Sequence, residues 1–213
     1  MMRDAVVFDC DGLLLNTEKF WKAGEGKLFR DYDRDYTAEH ERALLGTSGE
    51  VTGRILAQAL DQPGRELALI AELREWVWEA VVNGARPMTG ALDLVQDLSG
   101  KLPLGVASNS PRELVREALN TAGLDGAFDV VLGEEDVKHP KPEPELYLIA
   151  CERLKAAPIR SVALEDSPTG VAAARAAGMY VIGIPSEKGV ELAANKIVDS
   201  LAHPAVRAAI IEG

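Results

Sequence analysis

Short apolar runs that break off abruptly in polar residues recur along this chain. Val6-Val7-Phe8 ends in Asp9-Cys10-Asp11-Gly12, Leu104-Gly105-Val106-Ala107 in Ser108-Asn109-Ser110, and Val162-Ala163-Leu164 in Glu165-Asp166. Apolar runs without polar alternation mark strands buried on both faces, the condition of a parallel sheet. From Arg86 onward the pattern predicts strands over Leu104 to Ser108, Val130 to Leu132, Val162 to Glu165, Tyr180 to Ile184 and Ile197 to Val198. Helical stretches lie between several of them, with Gly100, Gly123 and Gly178 placed to end them. Strand and helix in repeated alternation give an α/β fold built on a doubly wound, Rossmann-like parallel sheet.

One stretch departs from this alternation. Between Thr17 and Gly84 no convincing strand occurs, and apolar residues recur at helical spacing over Val51 to Leu60 and Arg65 to Val82. In the longer stretch Leu67, Ile70, Ala71, Leu73, Trp76, Val77, Ala80 and Val81 form a nearly continuous stripe, and Gly84 can end the helix. Trp76 and Trp78 read as core and surface of this segment rather than as ligand platforms. The expected organisation is a core of residues 1–16 and 85–213 interrupted by a helical cap of residues 17–84. Hinges are expected near Leu15 to Thr17 and near Ala85 to Met88.

The polar ends of the strands carry the candidate chemistry. Open α/β sheets gather ligands at the C-terminal tips of their strands, where Asp9 and Asp11 stand. One carboxylate there can attack as a nucleophile while the second trades protons with a leaving group and water. The same two residues could also simply start a turn, and Gly12 lets the chain reverse behind them. In the second motif Ser110, Pro111 and Glu113 form a capping-box pattern. Ser108 sits beside the open N–H groups of that helix start, where phosphate oxygens bind. Proline alternation around Lys138-His139-Pro140-Lys141-Pro142 holds an extended loop before a helix from about Glu145 to Leu154. Lys141 is then a fixed positive charge, while Lys138 and His139 read as surface residues. Ser167 can cap a helix that starts at Pro168. Capping does not require Glu165 and Asp166 together, and adjacent carboxylates repel, so a cation is implied. With Asp9 and Asp11 they make an all-oxygen set suited to Mg²⁺.

Taken in order, Asp-x-Asp-Gly, Ser-Asn-Ser, Lys-Pro and Glu-Asp at successive strand ends resemble the four motifs of the haloacid dehalogenase superfamily. The helical insert after the first strand resembles the type 1 cap of its phosphatases and sugar-phosphate mutases. The resemblance implies that Asp9 is the nucleophile, Asp11 the acid and base, and Ser108, with Asn109, the phosphate site. Lys141 would pair with Asp9 and the phosphoryl group. Asp166, helped by Glu165, would hold Mg²⁺ with the Asp9 side chain and the Asp11 carbonyl. Asn16 departs from the pattern, since many relatives carry aspartate there. Asp11 argues against a dehalogenase, which lacks the second acid, and the loop Leu44 to Gly49 offers no lysine for phosphonatase chemistry. A β-phosphoglucomutase-like phosphotransferase ranks second, because Trp21, Leu45 and Gly49 stand where mutases carry a histidine and basic residues.

Composition narrows the setting. With 213 residues, 47% of them hydrophobic, the chain can bury one sizeable core and a small accessory domain. A formal charge of −11 and a pI near 4.8 disfavour nucleic acid or an anionic membrane as partner. They also make a metal and Lys141 more necessary for an anionic substrate. Cys10 and Cys151 give no disulfide framework, which suits a reducing cytoplasm. Cys10 lacks the downstream arginine of a thiol phosphatase and reads as a packing residue. Neither a secretory leader nor an apolar run of about 18 residues is present, so no membrane span is expected. The expectation is a cytoplasmic, monomeric, Mg²⁺-dependent phosphatase acting on a small phosphorylated metabolite, with Trp21, Lys22, Arg42, Thr47, Arg54 and Arg112 as candidate substrate contacts. A phospho-accepting switch or a binding module is the reading from a different class.

Overall fold

In the computed structural model, residues 3–124, 126–186 and 189–211 are described. The elements run β1 (Val6–Phe8), α1 (Glu18–Asp31), α2 (Ala38–Leu44), α3 (Gly49–Ala59), α4 (Glu66–Gly84), α5 (Ala91–Leu98), β2 (Leu104–Ala107), α6 (Arg112–Thr121) and β3 (Val130–Leu132). After β3 come α7 (Glu145–Arg153), β4 (Val162–Glu165), α8 (Pro168–Ala176), β5 (Tyr180–Gly183), β6 (Lys196–Ile197) and α9 (Pro204–Ile211). The strands form one sheet in the order β3-β2-β1-β4-β5-β6, and every neighbouring pair is parallel. This is the expected doubly wound α/β sheet. No described helix is long and apolar enough to cross a membrane.

The sheet buries both faces, which is why its strands show no polar alternation. Val6, Phe8, Val106, Leu164 and Ile182 face one layer with α5, α6 and α9. Val7, Ala107, Ala163 and Val181 face the other, with α7 and α8. Strand β1 lies between β2 and β4, with Phe8 in register with Val106 and Leu164. The residues just beyond these three strands therefore emerge level with one another, at the edge where the strand order switches. Gly100, Gly123 and Gly178 all have positive φ, of 74°, 74° and 81°, and end α5, α6 and α8 as the sequence predicts.

Helices α1 to α4 fill the interval between β1 and α5, and α1, α3 and α4 share one hydrophobic cluster with the sheet through Leu28, Phe29, Leu56, Leu73, Val77 and Phe8. The two connections that bound them run side by side. Asn16 N–H donates to the Arg86 carbonyl (3.0 Å), Arg86 N–H to Asn16 Oδ1 (2.9 Å), and Met88 N–H to the Leu14 carbonyl (2.8 Å).

Two details of α4 differ from the pattern expected of it. Leu67 is 84% exposed, whereas Leu69, outside the predicted stripe, is fully buried. The helix packs against α1, α3 and α6, so more than one narrow stripe of it is buried. Gly84 remains helical and the chain leaves the helix at an extended Ala85. A side chain at Gly84 would run into the ring of Phe20.

Gly24 lets α1 approach α4 closely. A Cβ placed there would lie 2.9 Å from Leu73 Cδ1 and 3.0 Å from both Trp76 and Val77. Gly24→Leu is expected to destabilise the protein by about 1–3 kcal/mol through overpacking, read as a lower midpoint in urea unfolding.

Candidate active site

The site forms where β1, β2 and β4 end. Asp9 follows β1, Ser108 follows β2, Glu165 closes β4 and Asp166 comes next, and Lys141 arrives from the loop between β3 and α7. Lys141 Nζ lies 2.6 Å from Asp9 Oδ1 and 2.5 Å from Glu165 Oε1, with all three side chains largely buried. Burial works against the Lys141 ammonium, but Asp9 and Glu165 on either side outweigh it and hold its pKa above the usual lysine range. The loop that delivers it is clamped by Asn109, whose Oδ1 accepts Lys141 N–H (2.9 Å) and whose Nδ2 donates to the Lys141 carbonyl (3.1 Å).

Glu165 is fully buried and held by five donors. Lys141 Nζ and Tyr147 Oη reach Oε1, while Asp166 N–H, Ser167 N–H and Ser167 Oγ reach Oε2. Asp9, Glu165 and Asp166 offer carboxylate oxygens within 4.8 Å of one another. Burial first, then the neighbouring carboxylates, push Asp9 and Asp166 well above the ordinary carboxylate range, although Lys141 pulls the other way. Asp166 Oδ2 is buried with no hydrogen-bond partner among the described residues. One ammonium against three buried carboxylates leaves negative charge and an orphaned oxygen, which fits a divalent cation held by Asp9 and Asp166. Since the donors of Glu165 turn it toward Lys141, its place is behind that pair. Gly12 (φ +79°) passes so close to Asp166 Oδ2 that a side chain there would collide with it.

Asp11 is the second centre. Its Oδ1 accepts Thr17 Oγ1 (2.6 Å) and Trp21 Nε1 (3.3 Å), and its Oδ2 accepts Ser108 Oγ (3.1 Å) and Ser110 Oγ (2.8 Å). The Ser110 contact corrects the capping-box reading. Pro111 occupies the cap position of α6 without a side-chain bond, and the Arg112 N–H is instead bonded by the Glu135 carboxylate (3.0 Å). Ser167 does cap α8, accepting Gly170 N–H at 3.0 Å. The Asn109 side chain, expected at the phosphate, is committed to backbone groups of Lys141 and, through Nδ2, to the Gly46 carbonyl (3.0 Å). Cys10 is buried, as a packing residue should be, and burial raises its thiol pKa well above the usual range.

A cavity of about 720 Å³, counting its open mouth, joins these groups to the helical layer. Asp9, Asp11, Ser108, Asn109, Lys141 and Asp166 line its floor. Glu18, Trp21, Lys22, Glu25, Glu41, Thr47 and Arg74 are among those that line its walls. Of the expected contacts, Trp21, Lys22 and Thr47 are present. Arg42, Arg54 and Arg112 are not among its lining, and Arg112 instead pairs with Asp136 (2.7 Å). Thr17, Ser110, Tyr147 and Arg74 take part without having been assigned to the site from their sequence positions. Thr17 stands directly beside the first motif and Ser110 within the Ser-Asn-Ser motif, so both could have been suspected; nothing local marks Tyr147 and Arg74.

Comparison with known proteins shows the family of the chain. Residues 6–184 match the family model of haloacid dehalogenase-like hydrolases. The chain is 31% identical over 179 residues to the phosphorylated carbohydrates phosphatase of Thermotoga maritima, covering 83% of this chain and 82% of that one. It is 29% identical over 182 residues to the fructose-1-phosphate phosphatase of Escherichia coli, covering 84% and 95% respectively. The crystal structure of CbbY from Rhodobacter sphaeroides in complex with phosphate superposes with a TM-score of 0.82 at 28% identity, covering 95% of this chain and 96% of that chain.

The cavity wall also carries a titrating group. Glu25 is 6% exposed, bonded by the Tyr36 hydroxyl, and burial raises its pKa to about 7. The unfolded chain releases this proton at lower pH, so the folded state keeps a proton that the unfolded state has lost, and stability falls as pH rises through that window. Relative to Glu25→Gln, the wild type is expected to lose roughly 1–3 kcal/mol between pH 4 and pH 8, measured by urea unfolding at each pH.

Proposed function

We propose that this chain, which belongs to the haloacid dehalogenase-like hydrolases and is one of their phosphoric monoester hydrolases, hydrolyses a small phosphomonoester of the sugar or nucleoside phosphate class through an aspartyl-phosphate on Asp9. The observation that carries this reading is the buried Lys141 ammonium 2.6 Å from Asp9 Oδ1, at the floor of a cavity shared with Asp11 and Asp166. Relatives acting on phosphorylated carbohydrates and on fructose 1-phosphate support the substrate class.

In this reading an Asp9 oxygen attacks phosphorus in line, the bond to the substrate oxygen breaks, and that oxygen takes its proton from Asp11. Water then attacks the phosphorus, gives its proton to Asp11 and frees phosphate, which restores Asp9. Lys141 faces the phosphoryl oxygens and neutralises charge that grows on them. Ser108 and Ser110, now bonded to Asp11, are placed to pass their hydroxyls to those oxygens when Asp11 turns toward the leaving group. A divalent cation, Mg²⁺ in this reading, would be held by Asp9 and Asp166 with the Asp11 carbonyl and would add positive charge to the transferring group. Residues 17–84 act as the cap, closing the site from above and admitting substrate between Trp21 and Thr47.

Asp9→Asn is expected to abolish phosphate release, and Asp11→Asn to slow it by about 10²–10⁴-fold, both with the fold retained by circular dichroism. Chelation should remove the activity and Mg²⁺ restore it. A colorimetric phosphate assay over a panel of sugar and nucleoside monophosphates reads all three, and persistence of turnover in Asp9→Asn would overturn the nucleophile assignment.

A further inference from the structure

Away from Asp9, the cavity contains an anion site that the protein occupies with its own side chain. Arg74 on α4 lines the cavity, and its guanidinium is paired with the carboxylate of Glu134, which belongs to a short 3-10 turn (Glu134–Asp136) after β3. The second Glu134 oxygen accepts the N–H of Gly49, the first residue of α3, at 2.8 Å. A guanidinium and an open N–H at a helix start, converging on one carboxylate, are the donors that bind a phosphate or a carboxylate. Arg74 Nε is buried and has no partner among the described residues, so the site holds more donor capacity than Glu134 uses. The other lining cation of the helical layer, Lys22, is paired with Glu41 at 2.6 Å, and Glu18 and Glu25 add two further carboxylates to the wall.

We propose that Glu134 determines specificity by occupying the Arg74 and Gly49 anion site. The cavity then takes phosphomonoesters whose remaining part is uncharged and turns away those carrying a second phosphate. This rests on the phosphatase reading above and names the substrate class within it. The charge balance gives the reason: the guanidinium that would receive a second phosphate is already neutralised by Glu134, and the Glu41 carboxylate stands on the same wall. Removing the Glu134 carboxylate exposes the guanidinium and the Gly49 N–H together.

The test compares hexose 6-phosphate with hexose 1,6-bisphosphate in the full-length, Mg²⁺-loaded enzyme. Wild type should prefer the monophosphate in kcat/KM. Glu134→Ala should raise the bisphosphate-to-monophosphate ratio by about tenfold or more, the worth of one charge-assisted hydrogen bond, chiefly through a lower KM for the bisphosphate. Arg74→Met added to Glu134→Ala should cancel the gain. Should Glu134→Ala fail to fold by circular dichroism, Glu134→Gln carries the same expectation with a smaller change. An unchanged ratio, an equal loss for both substrates, or a wild type that already uses the bisphosphate as well would overturn the proposal. Calorimetric binding of the bisphosphate to Asp9→Asn and to Asp9→Asn/Glu134→Ala separates the two readings. If neither hexose phosphate nor any member of the sugar and nucleoside monophosphate panel is turned over by the wild type, the phosphatase reading fails, while tighter binding in the double variant still supports the plug and equal binding overturns it.

Discussion

The Lys141 ammonium, buried between Asp9 and Glu165, is the interaction on which the rest of the site depends. Three buried carboxylates emerge from adjacent parallel strands close together, and without a positive charge among them the fold would have to protonate or expose them. Removing one partner of a buried ionic set typically costs about 3–5 kcal/mol, because the remaining charges lose their compensation. Much of the surrounding architecture serves to hold this one group. Asn109 fixes its backbone on both sides, and the Tyr147 hydroxyl together with Ser167 fixes the Glu165 carboxylate that orients it. One ammonium does not balance three carboxylates, and Asp166 Oδ2 is the buried oxygen among them with no hydrogen-bond partner among the described residues.

Asp11 plays a different part, because its ligands come from both layers of the molecule. Ser108 and Ser110 reach it from the end of β2, and Thr17 and Trp21 from the start of the helical insert. Asp11 is thereby a joint between the sheet ends and the helical insert, and in the proposed reaction the same residue moves the protons. Asn109 makes a second joint through Gly46, and Glu134 a third through Arg74 and Gly49. Each of the three ties a loop at the strand ends to the helices, so in the proposed function substrate selection and chemistry would share the same contacts.

The fold was legible because its determinants are local. Strand limits over Val130–Leu132 and Val162–Glu165 coincide with the predicted runs, and α7 begins at the predicted Glu145. Errors arose where tertiary neighbours overrode a local signal. Ser110 carries a good capping pattern, yet its hydroxyl serves Asp11, and a carboxylate from the β3 loop takes over the helix N–H. Leu67 fits the helical stripe, but in the folded chain it is exposed and Leu69 is buried instead. Arg54 and Arg112 had the right charge for a phosphate wall and lie outside it, whereas Arg74, half-hidden on the longest helix, lies within.

The sequence by itself determined the sheet, the helical insert and the identity of the groups at three strand tips, since hydrophobic period, proline and glycine act within a few residues. It also determined that Lys141 stands in a proline-stiffened loop. Only the tertiary structure decided how these groups are committed. That Glu165 orients Lys141, that Asn109 holds a loop, and that Glu134 closes an anion site across the cavity are facts about atoms 24, 32 and 85 residues apart. Contacts at such separations depend on strand order and helix packing, and no pattern within one segment encodes them.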